Sequence, residues 1–256
     1  MPLDDVDAAP GASDRGTLIH EAIGDFNRAL KDGFPDDPLA ALLGFGRARF
    51  AALIDYPEVQ TFWWPRFERI ARWYADHMQR RRGTWTAVHA EKSGEIQIAL
   101  GARSFTLACR ADAIEQQADG RFAILDYKTG QAPSSTQVEI GLAPQLTLEA
   151  AILKRGGFGS VAPAGAGVAE LVYVTLKGGE PAGEVRPIAF EEGDIDSNAD
   201  RALAGLTELA RRFEDAAQPY RSRTIVKFAG RYAEYDHLAR VKEWSLAGGE
   251  ANGDGE

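Results

Sequence analysis

The chain reads as a mixed α/β protein: a mixed central sheet flanked by helices, with a helical insert ahead of the strands. Three observations predict this. Apolar residues recur at helical spacing up to about residue 82, alternate one-in-two from Trp85, and return to helical spacing after Ala143. Residues 168–176 are apolar almost throughout, as in a strand covered on both faces. The 256 residues, 45% hydrophobic and 26% charged, suffice for one large domain with a proper core.

Residues 1–12 carry Pro2, Pro10, Gly11 and several acids without periodicity, and read as a disordered lead-in or linker. Ser13 or Asp14 then caps a helix to about residue 30, with Leu18, Ala22, Ile23, Phe26 and Leu30 on its apolar side and His20 in its first half. Asp32-Gly33-Phe34-Pro35 breaks it. A second helix is predicted over 38–54 and a third over about 57–81, where Phe62, Trp63, Phe67, Ile70, Trp73, Tyr74 and Met78 form a stripe. Aromatics at that spacing read as core rather than as a base-stacking platform.

Strands are predicted over 85–91, 95–100, 104–114 and 121–128, an antiparallel meander punctuated by Ser93-Gly94 and Gly101. A loop with Pro133 and Ser134-Ser135 leads to a helix over about 143–155, stopped by Gly156-Gly157. Residues 161–167 are a loop, 168–176 a covered strand, and 185–190 an edge strand. A last helix spans 195–217, with Leu203, Leu206, Leu209, Ala210 and Phe213 expected on its buried side. The stretch from Pro219 to Trp244 is basic and aromatic, and 245–256 read as a disordered tail.

The chemistry concentrates in residues 110–130. Asp119-Gly120 between alternating apolar residues signals a hairpin. Side chains alternate along a strand, so Asp126 and Lys128 share a face and Tyr127 points away. Folding about the turn brings Asp112 opposite Asp126. Two readings stand at this point. One is an exposed hairpin face with an Asp–Lys pair, since charge usually sits in water. The other is a divalent-cation site, with two carboxylates on a hard cation and the lysine placing a water or offsetting phosphoryl charge.

Composition narrows the field. The single cysteine, Cys109, excludes a disulfide framework and any multi-thiolate metal or iron–sulfur site, and is assigned to packing. A net charge of −9 argues against a protein that coats nucleic acid. The arginines are nonetheless bunched, at Arg66, Arg69, Arg72, Arg80-Arg81-Arg82, Arg211-Arg212, Arg221 and Arg223. Such patches suit an enzyme guiding DNA as well as they suit solvated helix faces. With no signal peptide or long apolar run, a cytoplasmic location without a membrane partner is expected. No nucleophile elbow, Cys–His pair or Walker order supports a metal-independent hydrolase.

The order of these pieces resembles the RecB-like branch of the PD-(D/E)XK nuclease superfamily. The matching residues are Arg15-Gly16-Thr17-Leu18-Ile19-His20, Arg110-Ala111-Asp112, Leu125-Asp126-Tyr127-Lys128-Thr129-Gly130 and Pro144-Gln145-Leu146. The segment Tyr235-Asp236-His237-Leu238-Ala239-Arg240-Val241-Lys242-Glu243-Trp244 is similar to the end of the AddB subunit of alphaproteobacterial AddAB helicase–nucleases. The resemblance spans about residues 14–244 and implies a restriction-endonuclease-like core, with the helical insert at about 35–82.

The resemblance also implies a function: a metal-dependent DNA exonuclease in double-strand-break repair, working with an AddA-like helicase–nuclease partner on single strands or ends without sequence preference. Asp112 and Asp126 would hold Mg²⁺ or Mn²⁺, with His20 and the backbone carbonyl of Tyr127 as further ligands. Lys128 would orient the attacking water, and Gln145 would orient Lys128 or touch the DNA backbone. Two departures stand out. Position 149 is Glu149 where the family's Gln-x-x-x-Tyr pattern has its aromatic, so no aromatic role carries over there. Many relatives also carry a four-cysteine iron–sulfur cluster, which one cysteine cannot build. The competing reading is a catalytically silent nuclease fold used for DNA binding or partner docking.

Overall fold

The computed structural model describes residues 9–219, so the AddB-like segment and the tail lie outside the described residues. By backbone contacts Ala9–Arg211 form one unit, and Met1–Ala8 with Arg212–Glu256 a second, of which only 212–219 are described. Helix α1 (Ala12–Ala29) has Gly11 at its N-cap, two residues before Ser13, the earlier of the two predicted caps. Asp14 still serves that end, its carboxylate accepting from the Gly11 N–H at 2.7 Å. Helix α2 (Pro38–Phe50) is capped by Asp37 and passes into a 3₁₀ turn at Ala51–Leu53. The predicted third helix begins as a π-turn, Val59–Trp63, and becomes α-helical as α3 (Trp64–Arg81).

The five strands lie in the order β1 (Trp85–Leu100), β2 (Arg103–Gln117), β3 (Phe122–Lys128), β4 (Val168–Leu176) and β5 (Gly183–Pro187). Neighbours are antiparallel except β3 and β4, which are parallel. The first strand is one element where two were predicted. Gly94 does not break it: Gly94 pairs with Cys109, and the ring of Phe158 occupies the place of a side chain, 2.6 Å from where a Cβ would stand. The meander therefore has three strands, not four.

Between β3 and β4 the chain crosses over through α4 (Ser135–Glu139) and α5 (Gln145–Lys154). The short α4 falls where a loop was predicted. Ser134 Oγ accepts from Gln137 N at 3.2 Å while Gln137 Oε1 accepts from Ser134 N at 2.8 Å, a reciprocal cap that holds it. The edge strand β5 begins two residues before its predicted start and ends at Pro187, which suits an edge.

Helix α6 (Ile195–Arg212) is shorter than predicted. It packs through Ala199, Leu203 and Leu206, whereas Leu209 and Phe213 are exposed. The apolar period there runs on past the surface it has to cover.

The sheet carries a core on each face. Ala123, Leu125 and Tyr127 of β3, with Val172, Val174 and Leu176 of β4, pack against α1, α2 and α3. Phe122, Ile124, Leu171 and Tyr173 pack on the opposite face against α5 and α6. The aromatic stripe of α3 is core, as its spacing predicts: Trp63, Phe67 and Tyr74 are buried. Three arginines of α3 are used within the fold. Arg69 Nε donates to the Gly178 carbonyl at 2.7 Å, Arg66 donates to the Lys177 carbonyl, and Arg81 Nη2 lies 2.6 Å from the buried Glu115 carboxylate. Among the described residues no helix is long and apolar enough to cross a membrane.

Candidate active site

Strand β3 presents the site. Its ladder with β2 ends at the pair Ala113–Leu125, and Asp112 and Asp126 are the residues that follow on either strand. Asp112 joins β2 to β3 through its side chain, Oδ2 accepting from the Tyr127 N–H at 2.8 Å. Asp126 points to the α5 face and is only 1% exposed, which rules out the solvated-pair reading of this patch.

A buried carboxylate needs partners. Lys128 Nζ donates to Asp126 Oδ1 at 2.9 Å and lies 2.7 Å from Oδ2. Gln145, the first residue of α5, donates from Nε2 to the same Oδ1 at 2.6 Å and accepts the Lys128 ammonium on Oε1 at 3.2 Å. Asp126 Oδ2 has only the Lys128 ammonium near it among the described residues, as an ion pair without hydrogen-bond alignment. Burial raises the Asp126 pKa; Lys128 works against that and the Asp112 carboxylate adds to it. The Lys128 ammonium also lies 5.9 Å from the ring centre of Tyr173, a group that only the tertiary structure places here.

One helical turn along α5, Glu149 faces the same cluster. Its Oε1 accepts from Gln145 Nε2 at 3.2 Å, its Oε2 has no hydrogen-bond partner among the described residues, and the residue is 2% exposed. Burial pushes its pKa up to about 8, with the Asp126 and Asp112 carboxylates adding to the rise. In sequence, Glu149 stands out only as a missing aromatic. The signal was its i+4 spacing from Gln145, which puts both side chains on one helix face.

His20 reaches the cluster from α1: Nδ1 stands 3.7 Å from Asp112 Oδ2, and its ring meets Tyr127 edge-on at 6.3 Å. Gly16 explains the close seat of that helix, since a Cβ there would stand 3.0 Å from Thr129 Oγ1. A cleft of about 710 Å³ opens beside it, lined by Gly16, Thr17, His20, Arg49, Arg110 and Thr129 among others.

Tyr127 turns to the opposite face of the sheet. Its phenol accepts from Asn27 Nδ2 at 2.9 Å and lies 2.8 Å from the Tyr74 hydroxyl, which donates to Asn27 Oδ1 at 2.9 Å. All three groups are buried, and burial raises both phenol pKa values. This ring anchors β3 between Asp126 and Lys128. Cys109 is half-buried and burial pushes its thiol up to about 12, in keeping with a packing role.

The donor chemistry fits a hard divalent cation. Carboxylate oxygens dominate, and Asp126 is buried with a lysine ammonium as its one charged partner. The predicted ligands do not converge fully, however. Among the described residues no three His, Cys, Asp or Glu side chains stand close enough to hold an ion by themselves. The structure pairs His20 with Asp112, and Asp126 with Lys128 and Gln145, without closing His20, Asp112 and Asp126 into one shell. Mg²⁺ commonly takes only one or two carboxylates from a protein and fills its other positions with water and phosphate.

A mixed five-stranded sheet with helices on both faces and an Asp–Lys pair on its central strand is the arrangement of a nuclease fold. The chain belongs to the PD-(D/E)XK nuclease superfamily, whose sequence profile matches residues 3–232. The superfamily is one of nucleases that generally use divalent metal ions. An uncharacterized protein of Rickettsia bellii is 26% identical over 149 residues, which is 58% of this chain and 18% of that protein. An uncharacterized protein of Rickettsia felis is 26% identical over 159 residues, 60% of this chain and 19% of its own length. The chain thus spans less than a fifth of these relatives. The crystal structure of SSO0001 aligns over 76% of this chain and 74% of its own, at 15% identity and a TM-score of 0.31.

Proposed function

We propose that this chain is a Mg²⁺- or Mn²⁺-dependent DNA exonuclease domain of a helicase–nuclease that trims strands during double-strand-break repair. The observation that carries the reading is the buried Asp126 carboxylate, bonded through Oδ1 to Lys128 and Gln145, with the Lys128 ammonium 2.7 Å from its other oxygen. Asp112 and Asp126 would hold the ion, with His20 and the Tyr127 carbonyl as further ligands. When bound, the ion supplies charge neutralisation at the phosphate and a more acidic water.

The chain's own residues supply the rest. The Lys128 ammonium orients the attacking water and offsets phosphate charge, and Gln145 holds that ammonium in place. The open cleft beside His20 has Arg49 and Arg110 on its wall, paired with Glu21, Asp25 and Glu91; a strand bound through its phosphates would take over these arginines, so binding should weaken with salt and show little base preference. A chain spanning under a fifth of its relatives' length suits one working part of a larger machine, with an AddA-like subunit as partner.

The test is cleavage of 5′- and 3′-labelled single strands by the full chain in Mg²⁺ and in Mn²⁺, beside calorimetry of Mn²⁺ binding. Lys128→Ala should keep most of its Mn²⁺ affinity and lose roughly 10²-fold or more in rate, and Asp126→Ala should lose the binding heat. A Lys128→Ala variant as fast as wild type would refute the assignment. One observation favours the silent-module alternative: Lys128 stands within ion-pair reach of both Asp126 oxygens. Absence of Mn²⁺ binding to the wild type would decide for it.

A further inference from the structure

We propose that Glu149 is a positioning residue of the site: its carboxyl locks the Gln145 side-chain amide in the one orientation that holds Lys128. This rests on the nuclease reading for its consequence in turnover, but the geometry stands apart from it. Gln145 has one donor end and one acceptor end. Its Nε2 lies 2.6 Å from Asp126 Oδ1 and 3.2 Å from Glu149 Oε1, while its Oε1 lies 3.2 Å from Lys128 Nζ.

The Asp126 carboxylate accepts and an ammonium only donates, so a flipped amide would oppose oxygen to oxygen at Asp126 and N–H to ammonium at Lys128, and would take the amide N–H away from Glu149 Oε1. Without Glu149, only one acceptor would hold the amide nitrogen, and that acceptor, Asp126, is the same group Lys128 pairs with. Glu149 is the second acceptor. Because it belongs to α5, as Gln145 does, it couples the amide to the helix rather than to the reacting residues.

The site's stability argues that Glu149 is not there to hold the fold. It is 2% exposed, has one oxygen without a hydrogen bond among the described residues, and shares its surroundings with two other carboxylates. Such a group opposes folding, and an apolar residue of similar length should remove the burden. A purely structural role and a positioning role therefore predict opposite outcomes.

The experiment compares Glu149→Met and Glu149→Gln with wild type in the full chain. Glu149→Met should melt at a higher temperature than wild type and yet fall about tenfold in kcat, the equivalent of one lost hydrogen bond, with KM for a single-stranded oligonucleotide changed less than about twofold. Glu149→Gln keeps an acceptor oxygen for Gln145 and should recover kcat to within about threefold of wild type. Undiminished kcat in Glu149→Met overturns the proposal, and so does a loss in Glu149→Gln equal to that in Glu149→Met, which would make charge rather than the acceptor decisive.

If the wild type cuts no DNA with Mg²⁺ or Mn²⁺, the nuclease reading fails and hydrogen exchange of the Gln145 side-chain amide decides the positioning claim separately. Protection in wild type and Glu149→Gln, lost in Glu149→Met, supports it; equal exchange in all three overturns it.

Discussion

Tyr127→Phe removes one oxygen from the ring that anchors the site strand, and its cost can be worked from the contacts. The Tyr74 hydroxyl has a single proton, which it donates to Asn27 Oδ1 at 2.9 Å. The 2.8 Å link between the two phenols must then be Tyr127 donating to Tyr74, while Tyr127 accepts from Asn27 Nδ2 at 2.9 Å. Losing the oxygen deletes two hydrogen bonds of roughly 1 kcal/mol each and leaves a buried Asn27 N–H without a partner, for a total of about 2–4 kcal/mol. Asn27, Tyr74 and Tyr127 are almost fully buried, so water cannot restore those bonds at little cost. In a unit of this size the loss should lower Tm by roughly 4–16 °C. Urea unfolding followed by circular dichroism gives the free energy directly. A change below about 0.5 kcal/mol, with the slope on urea unchanged, would show that the ring does not hold β3 and refute the reasoning.

Three further outcomes follow from other contacts. Arg81→Met should destabilise by about 3–5 kcal/mol at pH 8, because Glu115, 1% exposed, loses the guanidinium 2.6 Å away. Burial already raises the Glu115 pKa and Arg81 works against the rise, so the variant's Glu115 titrates higher still; protonation relieves the loss, and unfolding at pH 5 should show a smaller difference than at pH 8. His77 stacks on Trp73 at 5.2 Å and burial lowers its pKa to about 4 from the ordinary 6.5. Its neutral form is the folded one, so wild type should lose about 3 kcal/mol relative to His77→Phe as pH falls from 6.5 towards 4, measured by urea unfolding across that range. Gly46→Ala would place a Cβ 2.0 Å from the Phe67 ring where α2 crosses α3, and thermal melting should show a loss of about 1–3 kcal/mol.

How much was legible beforehand depended on whether the signal was local. The switch of apolar period at Trp85, the Asp119-Gly120 turn and the covered strand Val168–Leu176 are properties of neighbouring residues, and each element formed where its pattern lay. Where the expectation failed, a distant residue intervened. Ser93-Gly94 looks like a break until Phe158 fills the space above it. Leu209 and Phe213 look like core until α6 outruns the face it covers. The Ser134–Gln137 cap of α4 is local, and its spacing is present in the sequence although Pro133 and Ser134-Ser135 predict a loop there.

The same division holds at the site. Strand alternation alone put Asp126 and Lys128 on one face and Asp112 opposite, because side-chain direction follows from backbone geometry over a few residues. Burial is a property of the assembled molecule. The tertiary structure decided that the Asp126 carboxylate sits 1% exposed beneath α5, and so ceased to be an ordinary surface charge. It also decided that Glu149 stands behind Gln145 as a second acceptor, and that Tyr74 and Asn27 brace the strand from the other face. Those groups lie up to 100 residues apart in the chain, and only packing of the helices on both faces of the sheet brings them within hydrogen-bonding distance.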